Sequence, residues 1–164
     1  MKITAQEEYG IRLLLRIANC DSPEGISIPR LSEAEGLSQH YVAKLCRLLR
    51  MNGFIKSTRG KEGGYTLAQL PQEVSINQVL TILGGKLYSR EFCEKHSGLL
   101  PDCSRSCTCS VRSVWQLVQD AVDQVLDQYS LLDLMNLENG TKRRELSTAR
   151  RINDAKILNS QLSK

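Results

Sequence analysis

Ile11, Leu14, Leu15 and Ala18 recur at three- and four-residue spacing, the period of a helix that buries one face. Thr4 with Glu7 three residues later fits a capping box, so a first helix is expected from about Ala5 to Asn19, ending before the loop Asp21-Ser22-Pro23-Glu24-Gly25. Pro29 suits the first turn of a short second helix that buries Leu31 and Ala34 and stops at Gly36. Ser38 then caps a third helix that turns Val42, Leu45, Cys46 and Leu49 inward and leaves His40, Ala43, Lys44 and Arg47 outside, with Gly53 closing it.

Two short helices joined by a tight turn, the second with bases on its outer face, make a helix-turn-helix whose third helix takes the recognition position. Phe54 to Arg59, the turn Gly60-Lys61-Glu62-Gly63-Gly64, and Tyr65-Thr66-Leu67 read as a β-hairpin, the wing of a winged helix. Ser75 with Gln78 begins a fourth helix with Ile76, Val79, Leu80 and Leu83 inward, ended by Gly84-Gly85.

A long helix follows from about Ser110 to Tyr129, with Val111, Val114, Trp115, Val118, Val122, Val125, Leu126 and Tyr129 on one stripe and Asp120, Asp123 and Asp127 off it. So extended a stripe is read as a dimer interface in preference to packing on its own domain, because a winged helix this small reads two half-sites through symmetry. The expected fold is mainly α with a small β-hairpin wing. Residues 1–85 form the winged helix-turn-helix DNA-binding domain, 86–109 a cysteine-bearing loop, 110–138 the dimerisation helix with a short following element, and 139–164 a basic, flexible tail.

At 164 residues with 41% hydrophobic content the chain buries one core with appendages, not two independent domains. The first residues carry no apolar signal segment, and Arg12 and Arg16 interrupt the densest apolar run, so a soluble, cytoplasmic protein without a membrane partner is expected. The net charge of +4 conceals a pattern. Gly36 to Lys61 holds six bases (Lys44, Arg47, Arg50, Lys56, Arg59, Lys61) and no acid, whereas Ser113 to Glu138 holds five acids and no base. The tail from Gly140 carries seven bases against Glu145 and Asp154, so residues 1–139 sum to −1.

Six cysteines in a reducing compartment favour metal binding or redox sensing over structural disulfides. Cys20 and Cys46 fall in helical patterns and are expected to be packing residues. The other four lie in Cys93-Glu-Lys-His-Ser-Gly-Leu-Leu-Pro-Asp-Cys103-Ser-Arg-Ser-Cys107-Thr-Cys109. Thiolates are soft ligands suited to an iron–sulfur cluster or to zinc, and one loop can wrap a single centre. Paired CxxC spacings typical of zinc sites are absent, which favours iron–sulfur. Thiols acting directly as oxidant sensors, with no metal, remain open, and His96 is expected to be exposed.

Met1-Lys2-Ile3-Thr4, the turn Gly36-Leu37-Ser38-x-x-Tyr41, Leu45 to Gly53 followed by Phe54-Ile55, and above all Arg59-Gly60-x-x-Gly63-Gly64-Tyr65 resemble the Rrf-type winged-helix transcriptional regulators (IscR/NsrR/RirA-like), over roughly residues 1–135. The resemblance implies a homodimeric transcription factor, often holding an iron–sulfur cluster (2Fe-2S or 4Fe-4S) near the foot of the dimer helix. Cys103 and Cys109 have five residues between them, as is common for the last two cysteines of this family, while the nine between Cys93 and Cys103 exceed the usual gap and leave the cluster type open. In one subgroup a histidine three residues after the last cysteine completes the site; here Arg112 stands there and does not ligate. In another an acid near the start of the first helix, from the other subunit, fills that role, and Glu8 matches it. Cys107 is an extra thiol that is an alternative fourth ligand or a redox-active spare. The resemblance thus implies a metal set of Cys93, Cys103 and Cys109, with Glu8 of the partner subunit or Cys107.

Candidate contacts to double-stranded, palindromic promoter DNA are Ser38, Gln39, His40, Tyr41 and Lys44 at the start and outer face of the recognition helix, Arg47 toward phosphates, and Arg59, Gly60 and Lys61 in the wing. Arg59 is the leading candidate, since an arginine pairs with the negative potential of a narrow minor groove. An enzyme or electron carrier is disfavoured because no nucleophile pairs with a base. A cluster-free regulator that senses by docking a protein partner, as some family members do, is the closer alternative.

Overall fold

The computed structural model describes residues 3–58, 63–89, 92 and 109–138. Helix α1 spans Ala5–Ala18, α2 Ile28–Glu35, α3 Gln39–Met51, α4 Ile76–Gly84, α5 Ser110–Leu126 and α6 Leu131–Glu138. Strands β1 (Ile55–Ser57) and β2 (Tyr65–Leu67) form the hairpin, and a 3-10 turn at Pro71–Glu73 leads into α4.

The capping chemistry places these boundaries as expected. Thr4 and Glu7 close a reciprocal box at the start of α1. Ser38 accepts the Tyr41 N–H at the start of α3, and Ser75 accepts the Gln78 N–H at the start of α4. Gly36 ends α2 with φ 66°, the left-handed conformation that a side chain would strain, and this reverses the chain between the two helices of the motif.

The strands pair antiparallel with Ile55 opposite Leu67 and Ser57 opposite Tyr65. A further bridge joins Ile26 to Tyr65, so the segment before α2 braces the wing from its other side. Two hydrogen bonds of the Thr58 hydroxyl hold this junction. The Thr58 hydroxyl donates to the Glu24 carbonyl at 2.5 Å and accepts the Gly64 N–H at 3.0 Å, and a Cβ on Gly64 would stand 2.8 Å from the Ile26 backbone. Gly64 is therefore required for the close approach of two protein backbones.

The core collects Leu13, Leu14 and Ile17 of α1, Leu31 of α2, Val42, Leu45, Cys46 and Leu49 of α3, and Val79 and Leu83 of α4. It also takes in Leu131 of α6, which is wholly buried. The chain after α5 is stitched back onto the winged helix through hydrogen bonds from Ile76 to the Tyr129 carbonyl and from Leu131 to the Val74 carbonyl. Cys46 is buried as expected, and burial pushes its thiol up to about 11. Cys20, just beyond α1, is only half-buried, which departs from the packing role expected of it.

Helix α5 also departs from the single stripe read in the sequence. Gln119, Val122 and Leu126 face the groove against α1 and α4, while Val111, Val114, Ala121 and Val125 are exposed and Val118 is half-exposed. The acids expected off the stripe anchor the helix. Asp127 accepts from Asn77 at 2.8 Å, and Asp123 accepts from Gln119 at 2.8 Å and pairs with Lys86 at 3.3 Å. Gln119, 4% exposed, accepts the Tyr88 N–H at 3.0 Å. One face of the helix thus packs on the chain's own domain, while Val111, Val114 and Val125 stay exposed.

Candidate nucleic-acid interface and thiol site

The inward apolar face of α3 is fully buried, which fixes the rotation of the helix and decides which residues look outward. Ser38, Gln39, His40, Lys44 and Arg47 are exposed on that outer face, and Arg50 and Lys56 extend the basic surface toward the wing. Cations and helix-start polar groups on one surface can satisfy phosphates and reach base edges. Arg59, Gly60 and Lys61 lie outside the described residues. The anchoring of the strands on either side of them by Thr58 and Gly64 fixes where the wing leaves the domain.

Tyr41 is half-buried and differs from the other candidates. Its ring meets Tyr9 of α1 edge-on, with centroids 6.2 Å apart and planes at 89°. The Arg12 guanidinium lies 5.4 Å from the centre of the Tyr9 ring. Arg12 and Arg16 both pair with Glu35 at the end of α2, at 2.7 and 2.9 Å, and the Glu35 side chain is only 4% exposed. Helices α1, α2 and α3 are thus joined on the outside of the core by a polar and aromatic chain. Sequence reading missed Tyr9, Arg12 and Glu35. Arg12 and Arg16, four residues apart on one helix face, were the available sign that an acid sits opposite.

Cys109 is the N-cap of α5, half-buried, and its sulfur accepts the Arg112 N–H at 3.4 Å. Glu8 is exposed and lines a groove of about 440 Å³ together with Ile3, Ile11, Leu80, Leu87 and Val122. Among the described residues no three His, Cys, Asp or Glu side chains converge as a metal site; Cys93, Cys103, Cys107 and His96 lie outside them. The donor chemistry fits a soft metal centre, since Cys109 places a half-buried thiol at a helix start and the other three thiols of the cluster precede it in the chain. Among the described residues no helix is long and apolar enough to cross a membrane.

A recognition helix of fixed rotation, a Gly36 turn before it and a braced hairpin beside it define a winged helix-turn-helix DNA-binding protein. The chain belongs to the Rrf2 family, whose profile, described as "Iron-dependent Transcriptional regulator", matches residues 3–137. It is 34% identical over 135 residues to the protein rrf2 of Nitratidesulfovibrio vulgaris, covering 82% of this chain and 87% of that one. The solved structure of T. potens IscR superimposes with a TM-score of 0.65 at 26% identity, covering 88% of this chain and 91% of the other. CymR, the global cysteine regulator of B. subtilis, superimposes with a TM-score of 0.63 at 30% identity, covering 84% and 98%. The protein is a DNA-binding transcriptional regulator and not an enzyme.

Proposed function

We propose that this regulator acts as a homodimer on palindromic promoter DNA and senses redox, iron or nitric oxide status through an iron–sulfur cluster. Cys93, Cys103 and Cys109 hold the cluster, with Glu8 of the second copy or Cys107 as fourth ligand. The observation that carries this reading is the setting of Cys109, a half-buried thiol at the N-cap of α5, a helix whose Val111, Val114 and Val125 are exposed. A bound cluster supplies a centre whose integrity and oxidation state respond to oxidants and iron supply.

The chain's own side chains do the remaining work. Helix α5 carries the thiol at one end and is pinned to the DNA-binding unit through Gln119, Asp123 and Asp127. Ser38, Gln39, His40, Tyr41 and Lys44 read the major groove, Arg47 holds phosphate, and Arg59, Gly60 and Lys61 place the wing along the minor groove. A two-fold axis sets the two recognition helices against half-sites about one helical turn, or a multiple of it, apart.

Anaerobic purification tests the reading, with a visible spectrum, iron and sulfide assays and native mass, on the wild type and on single alanine variants of Cys93, Cys103, Cys107, Cys109 and Glu8. A brown dimer containing iron and sulfide, bleached by loss of Cys93, Cys103 or Cys109, is expected. A colourless protein with zinc or no metal would instead support a thiol- or partner-sensing regulator of the same fold. The likeness to CymR and the Arg112 that stands at a family ligand position favour that second reading.

A further inference from the structure

Two features of the chain meet at the end of α6. The first is charge. Residues 140–164 carry seven bases against Glu145 and Asp154, and five of the seven, Lys142, Arg143, Arg144, Arg150 and Arg151, fall within ten residues beside a single acid. The family match ends at residue 137, before all of them. Residues 1–139 sum to −1, so beyond a Debye length of about 8 Å they offer DNA no net attraction, and their basic patch acts only at close range.

The second is position. Helix α6 ends at Glu138, whose carboxylate accepts from the Asn19 amide at 3.3 Å. Glu138 shares a polar cleft with Arg12, Arg16 and Glu35. Glu35 closes α2, and only Gly36 and Leu37 separate it from Ser38, the cap of the recognition helix. The chain therefore leaves the described fold beside the turn that delivers α3. At about 3.3 Å per residue, Lys142 reaches up to about 13 Å from Glu138 and Arg151 up to about 40 Å. Bases that begin this close to the reading end of α3 fall within range of the duplex backbone next to the segment that α3 reads.

The acids of α5 and α6 are the other anionic surface within that range. Asp120 and Asp127 accept from Gln116 and Asn77 at 2.8 Å, Asp123 pairs with Lys86 at 3.3 Å, and Asp133 accepts from the Ser130 hydroxyl at 2.6 Å. Each is already held by a neighbour, and further ion pairs on an exposed surface add little. Duplex DNA presents one negative charge per about 1.7 Å of its axis and releases condensed counterions as each base docks, so it outcompetes that surface.

We propose that residues 140–164 form a second DNA contact of this regulator, an arginine-rich arm that binds duplex phosphates beside the segment read by α3 without reading sequence. The arm adds to the winged helix and does not depend on the thiol site. Arginine suits the task, since its guanidinium stays charged and forks onto phosphate oxygens. Residues 142–151 thereby supply the long-range attraction that residues 1–139 lack.

The test compares the natural full chain with one carrying Lys142→Gln, Arg143→Gln, Arg144→Gln, Arg150→Gln and Arg151→Gln together. The probe is a fluorescent duplex of about 30 base pairs of arbitrary sequence, titrated by anisotropy from about 50 to 300 mM salt. With about 0.9 counterions released per phosphate contact, the slope of log affinity against log salt is expected to flatten by about four, and affinity at about 0.1 M salt to fall at least tenfold. A chain with Arg143→Lys, Arg144→Lys, Arg150→Lys and Arg151→Lys should keep the slope, because its cations are as many. Both variants should keep the wild-type melting temperature, since the substitutions lie beyond α6. A photoreactive benzophenone amino acid at Ser147, between the two basic clusters, is expected to cross-link to the duplex. An unchanged slope and affinity in the glutamine variant, or no cross-link from Ser147, would overturn the arm. So would tighter binding by that variant, which would mark the bases as a clamp on the acids of α5 instead.

Discussion

The Tyr9 ring meets the Tyr41 ring edge-on at 6.2 Å, across the interface between the first helix and the recognition helix. Tyr9, itself half-buried, supports the one candidate contact residue on α3 that is not fully exposed. Its neighbour Arg12 is held in turn by Glu35, so the aromatic pair is backed by an ion pair reaching α2.

Tyr9→Leu removes the edge-on pair and the seat of the Arg12 guanidinium while keeping an apolar side chain. A loss of about 0.5–1.5 kcal/mol in stability is expected. Operator affinity, followed by fluorescence anisotropy, should fall about three- to tenfold, while Tyr9→Phe stays near wild type in both measurements. Equal affinities for the Leu and Phe variants would mean that Tyr9 does not position Tyr41.

Gly64→Ala forces a methyl group to within 2.8 Å of the Ile26 backbone. Something in the wing must move, and a destabilisation of about 2 kcal/mol or more is expected in urea unfolding. Thr58→Val should loosen the same junction more gently, by about 1 kcal/mol, because two hydrogen bonds are lost without a clash. Both variants should bind DNA more weakly than their stability alone explains.

Arg59→Ala should weaken operator binding by about 1–3 kcal/mol. Arg47→Ala should cost less and flatten the salt dependence of binding, because Arg47 meets a phosphate. An Arg59 variant with wild-type affinity would remove the wing tip from the list of contacts.

Cys46 should resist alkylation by iodoacetamide at pH 8 in the folded protein and react once urea exposes it. Its thiol, pushed up to about 11 from an ordinary 9.0, stays protonated in the core while the unfolded chain ionises. Above pH 9 the native state therefore holds a proton that the unfolded state has lost, and stability falls as pH rises toward 11. The slope from this group is at most about 1.4 kcal/mol per pH unit. Cys46→Val should remove that component of the alkaline decline in urea midpoint.

Much of the DNA-binding half could be read from local signals, because each element announces its own ends. Thr4, Ser38 and Ser75 cap helices where the hydrophobic period begins, and Gly36 takes the positive φ that the turn needs. The glycines after Arg59 were legible as a hairpin turn, but the role of Gly64 was not. Its neighbour is Ile26, almost forty residues earlier, and no local pattern encodes that approach.

Helix α5 illustrates a different limit. Its apolar positions serve two faces at once, and on a helix the spacings that define one face also link residues of the next, so the two merged into one broad stripe. Gln119 carried no sign of burial, since its role depends on the backbone N–H of Tyr88. Of the thiol site, the cysteine spacing was visible in the chain, and the structure adds the N-cap setting of Cys109 and the groove beside Glu8.

Leu131, wholly buried among residues of α1, α3 and α4, has a bearing on synthesis as well as on packing. A ribosome releases the helix-turn-helix first, but the core beneath it stays open until the chain has been made past the long helix. By then every cysteine of the cluster has already emerged. A premature stop after the wing therefore yields a fragment missing part of its core, and not a free-running DNA-binding protein deaf to its signal. The order of the chain ensures that a copy able to close its DNA-binding core already carries its thiols.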